Sequence, residues 1–462
     1  MPTRFPRLFA SHDPVPRRVL VLAISLAFSV SAFGANLNND RGCDISVAPA
    51  ATLLLPYFEV DLEDRLGQTT LFKITNVGSI PQAARITLWT DIAYPIVSFD
   101  VYLTGYDVQG FNLYDVLMGE LGSARGTGTG VSPGDFGEIN PFLNDALCSE
   151  LPGAIPDYLV ARMQSAFTLG TLAANGQVAG CNTVGGVHEN AVGYVTVDVV
   201  GNCSGNGPLD PHYFDVDIRY DNVLIGDYQQ VDVKQNFAQA SPMVHIRAIP
   251  EGGTPDTRAG LPARYATPLP QTFYGNLQKS VRPKADARQP LPSLFAVRWI
   301  KGGAGNFDTH FKIWRGSSQG PTSQCIDYQK NFRQKMGETV AFDEDGNAEG
   351  TTDYTCSAPS CIGPDPFVLR NTSLVSAVDS EIFPTLTGEA RAGWLYMNLD
   401  SDQTDQKAQQ GWVIASMRAE GRYSVDMDGM IFGNGCSAPV PDTEFNTPAG
   451  KAVIGPVPSS VR

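Results

Sequence analysis

Apolar and polar residues alternate in short runs along this chain, with a period of two. From Thr69 the sequence reads TTLFKITNVGSIPQAARITLWTD. Leu71-Phe-Lys-Ile-Thr75 and Arg85-Ile-Thr-Leu-Trp89 each put apolar side chains on one face, and Asn76, Gly78, Ser79 and Pro81 interrupt the pattern between them. Successive side chains of a strand point to opposite faces, so this spelling predicts two strands with a turn-rich connection. Phe99-Asp-Val-Tyr-Leu103 predicts a third. Pro156 to Phe167 reads as a helix with Pro in its first turn. Short strands set apart by Gly, Pro and Asn predict a mainly-β chain of antiparallel sandwiches.

The pattern returns in the C-terminal half. Leu294-Phe-Ala-Val-Arg298 answers Leu71 to Thr75, and His310-Phe-Lys-Ile-Trp314 answers Arg85 to Trp89. Glu189 to Asp198 parallels Glu389 to Asn398, each with Glu four residues before Gly. Gly226 to Val233 parallels Gly421 to Met427. Matches in one order predict an internal duplication, with Phe72 equivalent to Phe295 and Trp89 to Trp314. The expected layout is a signal peptide at 1–34, a sandwich with a helical insertion at 35–249 and a linker at 250–292. A second sandwich at 293–437 and a disordered tail at 438–462 complete it. Residues 105–185 and 316–385 then read as insertions between the shared strands. The linker carries eight prolines and the basic residues Arg258, Arg264, Lys279, Arg282, Lys284 and Arg288, which suits a strap lying on acidic domains.

Charge sharpens this picture. The chain has 33 Lys plus Arg against 48 Asp plus Glu, a formal charge of −15. Such a surface repels phosphate backbones and anionic lipid, which argues against nucleic-acid partners. At the N-terminus Arg17-Arg18 precedes an uncharged run from Val19 to Phe33, and Ala32-Phe33-Gly34 ends it with small residues where a signal peptidase reads. That run falls short of the roughly 20 residues a membrane span requires, so an exported protein without an integral span after signal removal is expected. All eight cysteines, Cys43, Cys148, Cys181, Cys203, Cys325, Cys356, Cys361 and Cys436, lie beyond the signal. An even number in an exported chain predicts disulfides. Four fall in each half, so pairing within halves is expected, with Cys148 to Cys181 across the helix.

Catalytic motifs are sparse. Gly316-Ser-Ser-Gln-Gly320 matches G-x-S-x-G, but Pro321 follows where a nucleophile elbow needs a helix, so Ser318 is not assigned as a nucleophile. His188, His212, His245 and His310 show no metal-binding spacing. His310 falls at a polar strand position, which suggests the surface. Asp343, Asp345 and Asn347 place oxygen ligands at alternate positions, a spacing that suits calcium, although Ala348 and Tyr354 stand where an EF-hand needs Gly and Glu. Asp400, Asp402 and Asp405, and Asp426-Met-Asp-Gly429, are further acidic candidates. Trp89 and Trp314 end strands and read as packing residues.

The alternating strands from Thr69 to Asp91, with their Asn-Gly-Ser-Pro connection and terminal Trp, resemble the immunoglobulin-like β-sandwich modules of secreted bacterial proteins. The resemblance implies a fold and no activity. Tandem immunoglobulin-like or jelly-roll sandwiches without catalytic motifs point to an exported cell-surface or extracellular binding or structural protein, secreted or periplasmic. Its partner would be a cell-envelope or extracellular polymer or protein. The alternative is an extracellular hydrolase acting on carbohydrate through a carboxylate pair.

Overall fold

The computed structural model describes residues 47–121, 155, 157–174, 177–178, 184–201, 207–208, 213–248, 273–274, 288–289, 291–303, 305–316, 334–335, 338–353, 368–369, 372–377, 390–399, 410–419, 423–431, 443–447 and 450–454. The chain is mainly β, in antiparallel sheets. In the first half run β1 (Thr52–Val60), β2 (Gln68–Asn76), β3 (Gln82–Thr90), β4 (Pro95–Leu103) and β5 (Val108–Asn112). After them come the two-residue β6 (Ala173–Ala174) and β7 (Gln177–Val178), then β8 (Ala191–Val200), β9 (Leu224–Asp232), β10 (Phe237–Pro242) and β11 (Val244–Ile246). One sheet has the order β11-β1-β8-β3-β4 and the other β10-β9-β2-β5. Leu53, Leu55, Phe72, Ile74, Ile86, Phe99 and Val197 fill the space between them. The predicted helix spans Asp157–Thr168, and Phe167 meets Phe58 edge-on at 5.4 Å. No helix among the described residues is long and apolar enough to cross a membrane.

The second half runs β12 (Leu294–Ile300), β13 (Phe307–Arg315), β14 (Gln334–Lys335), β15 (Glu338–Asp343), β16 (Ala348–Asp353) and β17 (Val368–Leu369). It continues with β18 (Thr372–Ser376), β19 (Ala392–Asn398), β20 (Gly411–Ala419), β21 (Tyr423–Asp428) and β22 (Met430–Ile431). Its main sheets are β22-β12-β19-β15-β16 and β21-β20-β13-β18. Strand for strand, and in the same chain order, these repeat the sheets of the first half: β12 takes the place of β1, β13 of β2, β15 of β3, β16 of β4 and β18 of β5. β19 through β22 take the places of β8 through β11.

Details of geometry recur with the order. Thr70 Oγ1 both donates to the Glu59 carbonyl and accepts from its N–H, and Thr309 Oγ1 does the same with Ile300. Each β3-type strand carries a register shift against its β4-type neighbour, between Leu88 and Trp89 and between Ala341 and Phe342. Beside each shift stands a glycine, Gly193 or Gly393, whose missing Cβ would collide with the carbonyl of Trp89 or Phe342.

This register corrects the strand matches expected from sequence. β2 and β3 lie in different sheets, so their connection crosses the sandwich. Phe72 corresponds to Phe311, not Phe295, and Trp89 corresponds to Phe342, not Trp314. Of the three matches, Glu189–Asp198 with Glu389–Asn398 stands, as β8 and β19. β15, β16 and β18 are sandwich strands, so 316–385 is not simply an insertion. Thr443–Thr447 (β23) and Gly450–Ile454 (β24) pair as a hairpin within the stretch read as a disordered tail.

The repeated glycine gives a direct test. Gly393→Ala forces the Phe342 carbonyl out of the β15–β19 ladder and is expected to cost about 2–4 kcal/mol, as overpacking against backbone does. Urea denaturation should show the loss, and Gly193→Ala should match it in sign.

Candidate functional site

The outer face of the sheet β11-β1-β8-β3-β4 is polar and yet buried. Thr52, Asp198, Arg85 and Asp100 form one row across β1, β8, β3 and β4, because each is the registered partner of the next. Arg85 grips Asp100 through Nε and Nη2, both at 2.6 Å, with neither side chain exposed. Asp198 accepts hydrogen bonds from Thr52 Oγ1 at 2.5 Å, Tyr213 Oη at 2.5 Å and Tyr274 Oη at 2.7 Å. Burial, then the Asp198 charge, pushes both tyrosine hydroxyls well above their usual range, so they remain protonated donors. Tyr213 belongs to a π-helical turn, Tyr213–Asp217, while Tyr274 comes from the Pro-rich segment between the halves.

That segment holds on at a second point. Arg288 is fully buried, donates to Thr52 Oγ1 and to the Arg219 carbonyl, lies 3.8 Å from Asp198 and bridges to Ala248. Phe273 stacks on Trp314 at 5.4 Å, and Trp314 meets Tyr194 edge-on at 5.9 Å. Tyr194 in turn stacks on Trp89, whose Nε1 donates to Thr196. A continuous aromatic seam thus joins the two sandwiches under the strap.

The sandwiches also meet through polar groups. Lys312 on β13 is buried and contacts both oxygens of Asp426 at 3.0 and 2.8 Å. It also donates to Gln239 Oε1 of β10, which accepts from Ser416 as well. Burial pulls the Lys312 ammonium down from its ordinary value, and Asp426 opposes the shift. Gln239 Nε2 donates to the Val425 carbonyl, and Ser424 Oγ to that of Ala238. Thr372 donates from Oγ1 to the Pro56 carbonyl and from its backbone N–H to that of Asp91. The Asp91 carboxylate holds the Gly186 N–H and His188 Nε2, each at 2.9 Å.

The predicted site residues lie elsewhere and do not converge with this seam. Asp343 and Asn347 close the β15–β16 hairpin: Asp343 accepts from the Asn347 backbone N–H at 2.7 Å and from its Nδ2 at 2.9 Å. These bonds lower the Asp343 carboxyl below its ordinary value. Asp345 is exposed beside them. No group of three His, Cys, Asp or Glu side chains able to share a metal is found among the described residues. Asp426 proves to be the partner of Lys312. His310 is not on the open surface but three-quarters covered or more, accepting at Nδ1 from Arg418. His245 is buried in β11 and accepts the Gly226 N–H. Trp89, Trp299, Trp314 and Trp412 are buried packing residues. The eight cysteines, Ser318, His212, Asp400, Asp402 and Asp405 lie outside the described residues. Sequence reading missed the Asp198 row, although Arg85, Asp100 and Asp198, each set among apolar residues of its strand, were its visible signal. No family model, curated protein or solved structure matches the chain.

Two tests follow from this geometry. Asp198→Ala strips one carboxylate from three hydroxyls and removes the negative charge 3.8 Å from Arg288, at an expected cost of about 3–5 kcal/mol. Trypsin cleavage after Arg288 should accelerate in parallel with the loss in urea denaturation. The second concerns pH. Burial pushes His245 down from 6.5 to about 4, while burial, Arg418 and Lys312 push His310 down from 6.5 to about 3. The unfolded chain takes up these protons near the ordinary value and the native chain withholds them. Stability is therefore full above pH 6.5 and falls as pH drops toward about 4, each histidine adding a slope of about 1.4 kcal/mol per pH unit. Urea midpoints measured across that window should fall, and His310→Gln should flatten part of the slope.

Proposed function

We propose that this chain is an exported cell-surface or extracellular protein that binds or builds rather than catalyses, formed from two related immunoglobulin-like or jelly-roll sandwiches by duplication of one unit. The observation that carries the reading is how the buried ionisable groups are used. Asp198 secures the strap, Arg85 and Asp100 secure each other, and Lys312 with Asp426 secures the join between sandwiches. Each charge is matched to a structural partner in a closed setting, whereas a glycosidase requires two carboxyl groups facing substrate across a gap. The basic, then apolar, then small-residue N-terminus and the even cysteine count support export with disulfides.

The test is expression with the native N-terminus in a bacterial host, followed by assays on the exported material. The mature chain should begin at or near Gly34, retain envelope polymer or protein in sedimentation assays, and release no reducing ends from polysaccharides. Release of reducing ends that vanishes on substitution of an exposed carboxylate would replace this reading with the hydrolase.

A further inference from the structure

The two sandwiches join through unlike surfaces. The first contributes an end and an edge: the Thr90–Tyr94 turn with the Asp91 carbonyl, Pro56, Tyr194 and Gln239. The second contributes the outer face of β21-β20-β13-β18, with Lys312, Trp314, Thr372 and Ser416. Strand register places each surface on its counterpart in the other half. The Thr90 N–H bonds the Tyr94 carbonyl just as the Asp343 N–H bonds that of Asn347, so the acidic turn occupies the position of the docking turn. Lys312 and Trp314 correspond to Lys73 and Thr75, and Thr372, the partner of Trp314, corresponds to Val108, the partner of Thr75.

When two copies of one unit meet through unlike surfaces, one surface of each kind is left unused. Both are open here. On the first sandwich the side chains of Lys73 and Asp227 are 54% and 41% exposed, and Val108 is 55% exposed. A trough of about 640 Å³ lies over this face, lined by Lys73, Thr75, Asp227, Gln229, Ala240 and Pro242. On the second sandwich Glu344, Asp345, Gly346 and Asn347 are exposed at the tip of the turn. Lys73 pairs with Asp227 and Glu344 with Arg298, so the match between tip and face is one of position in the fold rather than of net charge.

We propose that the outer face of β10-β9-β2-β5 receives the Asp343–Asn347 turn of a second copy of this chain, so that molecules associate head to tail. The proposal rests on the equivalence of the two sandwiches and names the second copy as the partner. Because the contact is between unlike surfaces, association should continue past the dimer unless rotation closes a ring.

The test uses the whole mature chain in sedimentation-velocity runs from micromolar to near-millimolar concentration. Mass should rise with concentration without stopping at a dimer. Two variants separate the faces: Thr75→Arg with Val108→Glu blocks the receiving face, and Glu344→Lys with Asp345→Lys reverses the turn. Each alone should weaken association by about tenfold or more, with the thermal midpoint nearly unchanged, since Val108, Glu344 and Asp345 are exposed and Thr75 is half-buried in the lining of the trough. Mixed together they should form a discrete dimer, because each keeps one working surface. A chain that stays monomeric throughout would overturn the proposal and leave the non-catalytic reading intact. So would association indifferent to both variants, or a mixture that behaves like either variant alone.

Discussion

Asp198 sits on the middle strand of a five-stranded sheet with no exposed surface, and its solvation has to come from the protein. An ionised carboxylate removed from water costs several kcal/mol unless hydrogen bonds replace the lost hydration. Thr52 from the neighbouring strand supplies one, and Tyr213 and Tyr274 from outside the sheet supply two more. The carboxylate therefore cannot be buried until the π-helical turn and the inter-domain segment have been laid over it. A local need for hydrogen bonds becomes a constraint on where remote pieces of chain must go.

The same constraint explains why the two halves are unequal despite one strand order. In the second half the row equivalent to Asp198, Arg85 and Asp100 is Asn398, Glu338 and Asp353. That row has no cation to match Arg85 and no buried Asp at its centre, so it does not demand the same cover. The strap accordingly goes to the first sandwich, and from there Phe273 reaches Trp314 and Gln410 of the second. A segment fixed by one carboxylate thus helps fix the join between the sandwiches. Lys312 adds to that join by the same logic: its buried ammonium takes Asp426 from its own half and Gln239 from the other.

How far the sequence discloses this depends on the kind of interaction. Period-two alternation reveals strands because burial of one face is a local property, and β2, β3 and β4 lie where the alternation puts them. Which strands are equivalent is not local. Matching by hydrophobic alternation paired Leu71–Thr75 with Leu294–Arg298, since any two strands share that pattern. The sharper signal is the identity Thr70, Phe72, Lys73, Ile74 with Thr309, Phe311, Lys312, Ile313, in which a hydroxyl and a charge agree as well as the apolar face. Polar identities in strands are better markers of equivalent positions because packing alone does not require them. The Asp198 centre was harder still to see, for its members are spread from Thr52 to Arg288 and only the folded register brings them together.

The unequal treatment of the two Lys–Asp faces is the remaining consequence. Lys73 with Asp227 lies open to solvent, while Lys312 with Asp426 is covered by the edge of the other sandwich. The two lysines occupy one position of one strand type, but their carboxylates come from different strands, Asp227 from β9 and Asp426 from β21, and their cover differs. Thr75 stands where Trp314 stands, so the open face lacks the aromatic ring that would demand cover in a monomer. An exposed tryptophan there would cost apolar surface, about 25 cal/mol per Å² left in water. Threonine at this position leaves the face open to solvent while the lysine still has a carboxylate partner. A surface of that kind suits a weak, reversible contact better than a permanent one.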